Sequence, residues 1–167
     1  MHLEDFSGDR IFIDSNIFIY ASSKNHSLKP VCEDFLLDIE NGETNGFING
    51  RIVDEVFHKL TIIEISNKFR INSRDALAYI KANPDVLKEF KNPRSIVEDI
   101  LALERVKFLD INRKTVFQAL KYSNALLFSD AIHASCCRIH NITHIATNDS
   151  DFERIAFLNI WKPQHPE

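Results

Sequence analysis

Two rhythms of apolar residues alternate along this chain. Short unbroken runs read as strands buried on both faces, and longer stretches with three- and four-residue spacing read as amphipathic helices. Ile11-Phe12-Ile13, led by Arg10, is the first such run. Asp14-Ser15-Asn16 interrupts it, and a second apolar run follows at residues 17–20. Helical spacing over 28–40 tolerates Pro30 in its first turn and stops at Asn41-Gly42. Gly46-Phe47-Ile48-Asn49 is a short strand, and 51–69 a long helix through Ile52, Val56, Leu60, Ile63 and Phe69. Helices are expected near 73–81 and 95–105, with Asn83-Pro84 and Asn92-Pro93 as breaks. A strand over 106–111 and a helix over 113–126 follow. Ser129 then stands where an N-cap belongs, ahead of a small apolar helix. The chain closes with a strand at 143–147, a polar turn at 148–151, a short helix near 151–157 and a strand at 159–161.

Strands alternating with helices predict an α/β fold, a three-layer α/β/α domain over 1–167 with a mainly parallel central sheet. The extra helices at about 51–105, chiefly 70–105, read as an elaboration of it. In such sheets ligands gather at the carboxyl ends of the strands. That rule directs attention to the acids. Asp14 follows the first strand and Asp149 the strand at 143–147, Asp130 lies in a helical first turn, and Glu55 is on the long helix.

Carboxylates that converge repel one another and stay ionised together only when cations neutralise them. An all-oxygen donor set suits Mg²⁺ or Mn²⁺. Such ions lower the pKa of a bound water and stabilise a phosphodiester's leaving oxygen. His133, one turn beyond Asp130, reads as a packed histidine and not as a ligand.

Charge and composition adjust this picture. Net charge is −4, which lowers the expectation of nucleic-acid binding, but its distribution is uneven. Residues 1–50 carry 3 basic and 9 acidic side chains, whereas residues 51–107 carry 11 and 9. The basic residues of that second stretch, from Lys59 to Arg94, read either as an RNA-gripping lobe or as a solvated helical surface; with so many acids interleaved, the second is favoured. Three cysteines, with Cys136 and Cys137 adjacent, form neither a disulfide framework nor a zinc knuckle. Four glycines leave no phosphate-cradling loop. A polar, acidic N-terminus and the lack of a long apolar run suggest a cytoplasmic protein without a membrane span.

The motifs also resemble a known family. Ile11-Phe12-Ile13-Asp14-Ser15-Asn16 is similar to the opening motif of PIN-domain ribonucleases. Val53-Asp54-Glu55-Val56 resembles their second acidic motif, the segment from Phe128 to Ala134 around Asp130 the third, and Thr147-Asn148-Asp149-Ser150-Asp151 the closing one. The resemblance implies a metal-dependent endoribonuclease with Asp14, Glu55, Asp130 and Asp149 as its acidic site. It implies Asp14, Asp130, Asp149 and the ambiguous Asp151 as ligands of Mg²⁺ or Mn²⁺. It casts Asn16, Ser129 and Thr147 as supports of the carboxylates. Small prokaryotic members of this kind are VapC-type toxins, so the resemblance further implies an RNA substrate, an antitoxin partner and a homodimer. RNA processing without an antitoxin is the alternative within the family.

Two readings outside that family share parts of the pattern. A haloacid-dehalogenase-like phosphatase also starts from an aspartate after a first strand. It wants an acid two residues on, where this chain has Asn16, and a lysine near the last acids, where none lies between Lys121 and Lys162. A non-catalytic binding module would be expected to have lost motif acids, and all four are present.

Overall fold

The computed structural model describes residues 1–164. Five parallel strands form one sheet: β1 (Arg10–Ile13), β2 (Asn45–Asn49), β3 (Val106–Leu109), β4 (His144–Ala146) and β5 (Asn159–Trp161), in the order β3-β2-β1-β4-β5. The expected run Ile11-Phe12-Ile13 is the central strand, and all three side chains are fully buried. A central parallel strand is covered on both faces, so its apolar run is continuous.

The helices are α1 (Ser15–Ser22), α2 (Lys29–Asn41), α3 (Gly50–Phe69), α4 (Ser73–Ala82), α5 (Asn92–Ala102), α6 (Arg113–Ala119) and α7 (Phe128–Ile139). Right-handed crossovers decide their sides. The β1-to-β2 and β2-to-β3 connections step in one direction and place α1 to α5 on one face. The return from β3 to β4 steps the other way and places α6 and α7 on the opposite face. The packing agrees: α1 lies against α2 and α3, α3 against α4 and α5, and α6 against α7. The result is the expected three-layer α/β/α arrangement.

Local chemistry sets several boundaries. Gly42 ends α2 with φ +85, where its amide bonds back to Ile39. Gly46 lets β2 approach its neighbours: a Cβ there would lie 2.8 Å from Ile13 Cδ1 and 3.2 Å from Ile39 Cδ1. Asn49 caps α3 and accepts from the amides of Arg51 and Ile52. The helical elaboration has an apolar centre of its own, in which Ile62 and Ile65 of α3 meet Ala76 and Val86.

Three sequence expectations are corrected, and one open stretch is assigned. The apolar run at 17–20 belongs to α1, which starts immediately after Asp14. Asn92-Pro93 opens α5 rather than breaking a helix, since proline is tolerated in a first turn. The helix expected over 113–126 ends at Ala119 and passes into turns. Ser129 is not an N-cap: α7 begins one residue earlier, with Leu127 at the cap position, and the Ser129 hydroxyl is used elsewhere.

Candidate active site

The strand order reverses direction between β1 and β4, and such a switch point opens a crevice at the carboxyl edge of the sheet. Asp14 is the first residue past β1, and Thr147 and Asp149 lie just past β4. The Asp14 amide donates to the Ala146 carbonyl at 3.0 Å, which ties the two strand ends together. The starts of α3 and α7 supply Glu55 and Asp130.

Asp14 is 6% exposed and its carboxylate is held on all sides. Its Oδ1 accepts from the Ser15 amide at 2.6 Å. Its Oδ2 accepts from Asn16 Nδ2 and, at 2.6 Å, from the Thr147 hydroxyl. Asn16 also reaches Thr147 Oγ1 at 3.0 Å and accepts from the Asn148 amide at 3.2 Å. Burial pushes the Asp14 carboxyl up from its ordinary value, against the pull of His133, these hydrogen bonds and Lys59.

Glu55 is held as firmly. Ser129 donates to its Oε1 at 2.5 Å, His133 Nε2 lies 3.4 Å from the same oxygen, and Ser15 donates to Oε2 at 3.1 Å. Arg51 Nε stands 3.7 Å away. Burial raises Glu55, but His133, Ser129 and Lys59 outweigh it and bring the carboxyl down to about 2. Lys59 also donates to Ser15 Oγ at 3.2 Å, so a cation borders both acids.

Asp130 differs. No protein donor reaches its carboxylate among the described residues. It is pushed up to about 6, first by burial and then by the charges of Asp14, Glu55 and Asp149, with His133 pulling the other way. That dependence places Asp14, Glu55 and Asp149 each within electrostatic reach of Asp130. Asp149 turns Oδ1 toward the Asp151 amide at 2.8 Å as the cap of a 3-10 helix (Ser150–Arg154). The Asp151 carboxylate is paired with Arg154 Nη2 at 2.8 Å.

Among the described residues, no three acidic, imidazole or thiol side chains are gathered tightly enough to enclose one ion. The donor chemistry still fits a hard cation. Mg²⁺ keeps several waters and takes one or two carboxylates directly, so it needs no closed protein cage. The acids here are all oxygen donors, and among the described residues no hydrogen-bond donor reaches Asp130, which has three acidic neighbours.

Sequence reading missed the site roles of Ser15 and Asn49, the reach of His133 toward Glu55, and the place of Lys59 beside the acids instead of in the lobe. Lys59 was within reach of inference, since it lies four residues past Glu55 and so on the same helical face. His133 is packed, as expected, with no solvent exposure.

Comparison with known proteins agrees with this geometry. The PIN domain family model matches residues 11–158. Ribonuclease VapC2 of Methanocaldococcus jannaschii is 31% identical over 154 residues, covering 91% of this chain and 93% of that protein. Ribonuclease VapC6 of the same organism is 27% identical, covering 93% and 99%. The crystal structure of VapBC2 from Rickettsia felis bound to a DNA fragment from their promoter shares the fold, with a TM-score of 0.53 at 18% identity over 93% of this chain and 99% of that one. Four motif acids at one sheet edge and a family match across nearly the whole chain lead to one conclusion: this chain belongs to the PIN-domain family, alongside the VapC ribonucleases.

Proposed function

We propose that this chain is an endoribonuclease, the toxin of a toxin–antitoxin pair, and that it hydrolyses RNA phosphodiesters with the help of Mg²⁺ or Mn²⁺. The observation that carries the reading is the convergence of Asp14, Glu55, Asp130 and Asp149 on the β1–β4 crevice, with Asp130 raised to about 6 by burial and by its acidic neighbours. Asp14, Asp130 and Asp149 are the residues that would hold the ion. When bound, it supplies a polarised water and neutralises charge on the scissile phosphate. Asp14 is kept in one orientation by Ser15, Asn16 and Thr147. Glu55, brought down to about 2, remains ionised at neutral pH and can orient a water by accepting its proton in a hydrogen bond. Lys59 offers a cation to a substrate phosphate. Asp151 belongs to the surrounding turn.

The partners follow from the relatives. The VapC2 and VapC6 proteins are ribonucleases by name, and the Rickettsia structure is of a VapBC complex on its promoter DNA. An antitoxin partner for this chain is inferred from them. Exposed Phe117 and Leu120 on and just after α6, with Leu127 and Phe128 at the start of α7, offer apolar surface for self-association as a homodimer. No helix among the described residues is long and apolar enough to cross a membrane.

The deciding experiment incubates the purified chain with RNA under EDTA, Mg²⁺ and Mn²⁺ in turn. Divalent-dependent endonucleolytic cleavage is expected, with none in EDTA. Cleavage unaffected by EDTA, or a phosphorylated Asp14 with a phosphomonoester substrate, would overturn the reading.

A further inference from the structure

We infer that Asn49 fixes the tautomer of the buried His133, and that the neutral imidazole so formed positions Glu55 through an Nε2–H donor. As a statement about catalysis this rests on the nuclease reading; as a statement about hydrogen bonding it does not.

Asn49 is fully buried and precedes α3. Its Oδ1 accepts from the amides of Arg51 at 3.1 Å and Ile52 at 3.2 Å. An amide oxygen committed to those two donors points the NH₂ group the other way. There Nδ2 meets His133 Nδ1 at 3.1 Å and Cys136 Sγ at 3.3 Å. Both amide hydrogens are thus in use, and one of them requires a lone pair on Nδ1. A proton on Nδ1 would face an N–H and force Asn49 to turn over. Its NH₂ would then confront the two α3 amides, and the cap would be lost, at about 0.5–2 kcal/mol.

With Nδ1 accepting, the ring's one hydrogen is on Nε2, which lies 3.4 Å from Glu55 Oε1. His133 has no solvent exposure and lies against Phe12, with ring centroids 5.5 Å apart. The chain Asn49–His133–Glu55 therefore joins a helix cap at the end of β2 to the carboxylate at the cleft. His133 and Asn49 touch no reacting atom in this scheme. They are positioning residues that, with Ser129, hold Glu55 in one orientation.

Nitrogen-15 NMR of the histidine rings in the full chain, without metal or RNA, tests the tautomer directly. The expected His133 signature is a protonated Nε2 and a bare Nδ1, with an Nε2–H that exchanges slowly in wild type and quickly in Glu55→Ala. The opposite tautomer, an imidazolium at neutral pH, or an exchange rate indifferent to Glu55→Ala overturns the inference.

Asn49→Asp keeps an oxygen for the α3 cap but offers Nδ1 an acceptor, so the proton moves to Nδ1. With RNA, kcat is expected to fall about tenfold to a hundredfold, as losses of outer partners at metal sites do, while KM stays constant. A protein whose proton has moved but which cleaves at the wild-type rate removes the positioning role. His133→Gln retains a donor and His133→Leu does not. Activity kept by the first and lost by the second is expected, and equal losses count against the inference. Failure of wild type to cleave RNA under any divalent ion would end the nuclease reading. The tautomer and exchange measurements would still decide how Glu55 is held.

Discussion

The two sides of the acidic cleft differ in how their charge is met. Asp14 and Glu55 each accept from three side-chain or backbone donors, drawn from Ser15, Asn16 and Thr147 for one and from Ser15, Ser129 and His133 for the other. Asp130 has no such donor among the described residues and is raised to about 6 by burial and by its neighbours. One side is preorganised by protein hydrogen bonds, and the other is left for a cation to complete. Stability and function are therefore coupled with opposite signs across a single crevice.

Asn in place of Asp14 is the strongest way to break the held side. RNA cleavage should fall on the order of a thousandfold, the scale on which a preorganised electrostatic contact is worth most. The substitution also turns an NH₂ toward either the Ser15 amide or the Asn16 and Thr147 donors, so it should cost about 1–3 kcal/mol of stability. Denaturant midpoints and single-turnover rates measured together check both halves. A stabilised Asp14→Asn protein would mean that repulsion, not hydrogen bonding, dominates there too.

Asp130→Asn should lower cleavage by about a hundredfold or more, since the lost group faces the ion and the reaction. Its effect on folding should have the other sign. Removing a charge that three other acids oppose should stabilise the metal-free protein by about 1 kcal/mol after discounting for solvent screening. For a chain of this size that is roughly 3 °C in Tm. A lower Tm in EDTA would show that Asp130 is already neutralised by the protein.

The same contrast predicts a pH dependence. Asp130 titrates near 6 in the folded chain and at an ordinary carboxyl value near 4 once unfolded, so the folded state holds the extra proton between those values. On its account, metal-free stability is greatest below that window and declines as pH rises through it. Glu55 works in reverse: its carboxyl is near 2 when folded, so its contribution is present above about 4.5 and is lost as pH falls. On these two groups Tm in EDTA should peak at about pH 4, where their opposite slopes cancel, and the raised Asp14 carboxyl adds to the decline above it. Binding of Mg²⁺ or Mn²⁺ at pH 6 should release part of a proton, visible by calorimetry in buffers of different ionisation enthalpy. A flat Tm profile between pH 5 and 7 would dissociate Asp130 from its acidic neighbours.

The sheet was legible in the sequence because parallel strands are buried on both faces. Ile11-Phe12-Ile13 and the segment around Ile145 stand out as unbroken apolar runs for that reason. Asp14 and Asp149 could be read off because they fall where strands end, whereas Glu55 and Asp130 lie on helices and needed the motif pattern around them. What could not be read is how side chains divide the donors. Ser129 looks like an N-cap from its neighbours in sequence, yet its hydroxyl is taken by Glu55, 74 residues away. Asn49 and His133 are 84 residues apart and meet only once α3 and α7 pack on opposite faces of the sheet. The run at 17–20 could not be assigned from sequence, because an apolar run of four residues has no periodicity to separate helix from strand. Three of the lobe's basic residues are paired, Lys68 with Glu89, Lys88 with Asp85 and Arg94 with Glu98, as acids interleaved with bases allow.

The smallest expected effect concerns which closing acid serves the cleft. Asp149 is among the charges that raise Asp130, whereas Asp151 is not, and Asp151 is paired with Arg154 at 2.8 Å. Asp149→Asn preserves the cap of the 3-10 helix, because an amide oxygen can accept from the Asp151 amide as the carboxylate does. Its stability should stay within about 0.5 kcal/mol of wild type, while cleavage drops about tenfold to a hundredfold through weaker metal binding. Asp151→Asn removes only a half-exposed ion pair, worth about 0–1 kcal/mol, and should leave cleavage within a few-fold of wild type. Titrating Mn²⁺ against both variants separates the two residues, because only the first should need more ion to reach half-maximal rate. Were the order reversed, the unpaired end of the cleft would run from Asp130 to Asp151, and Asp149 would be a turn residue.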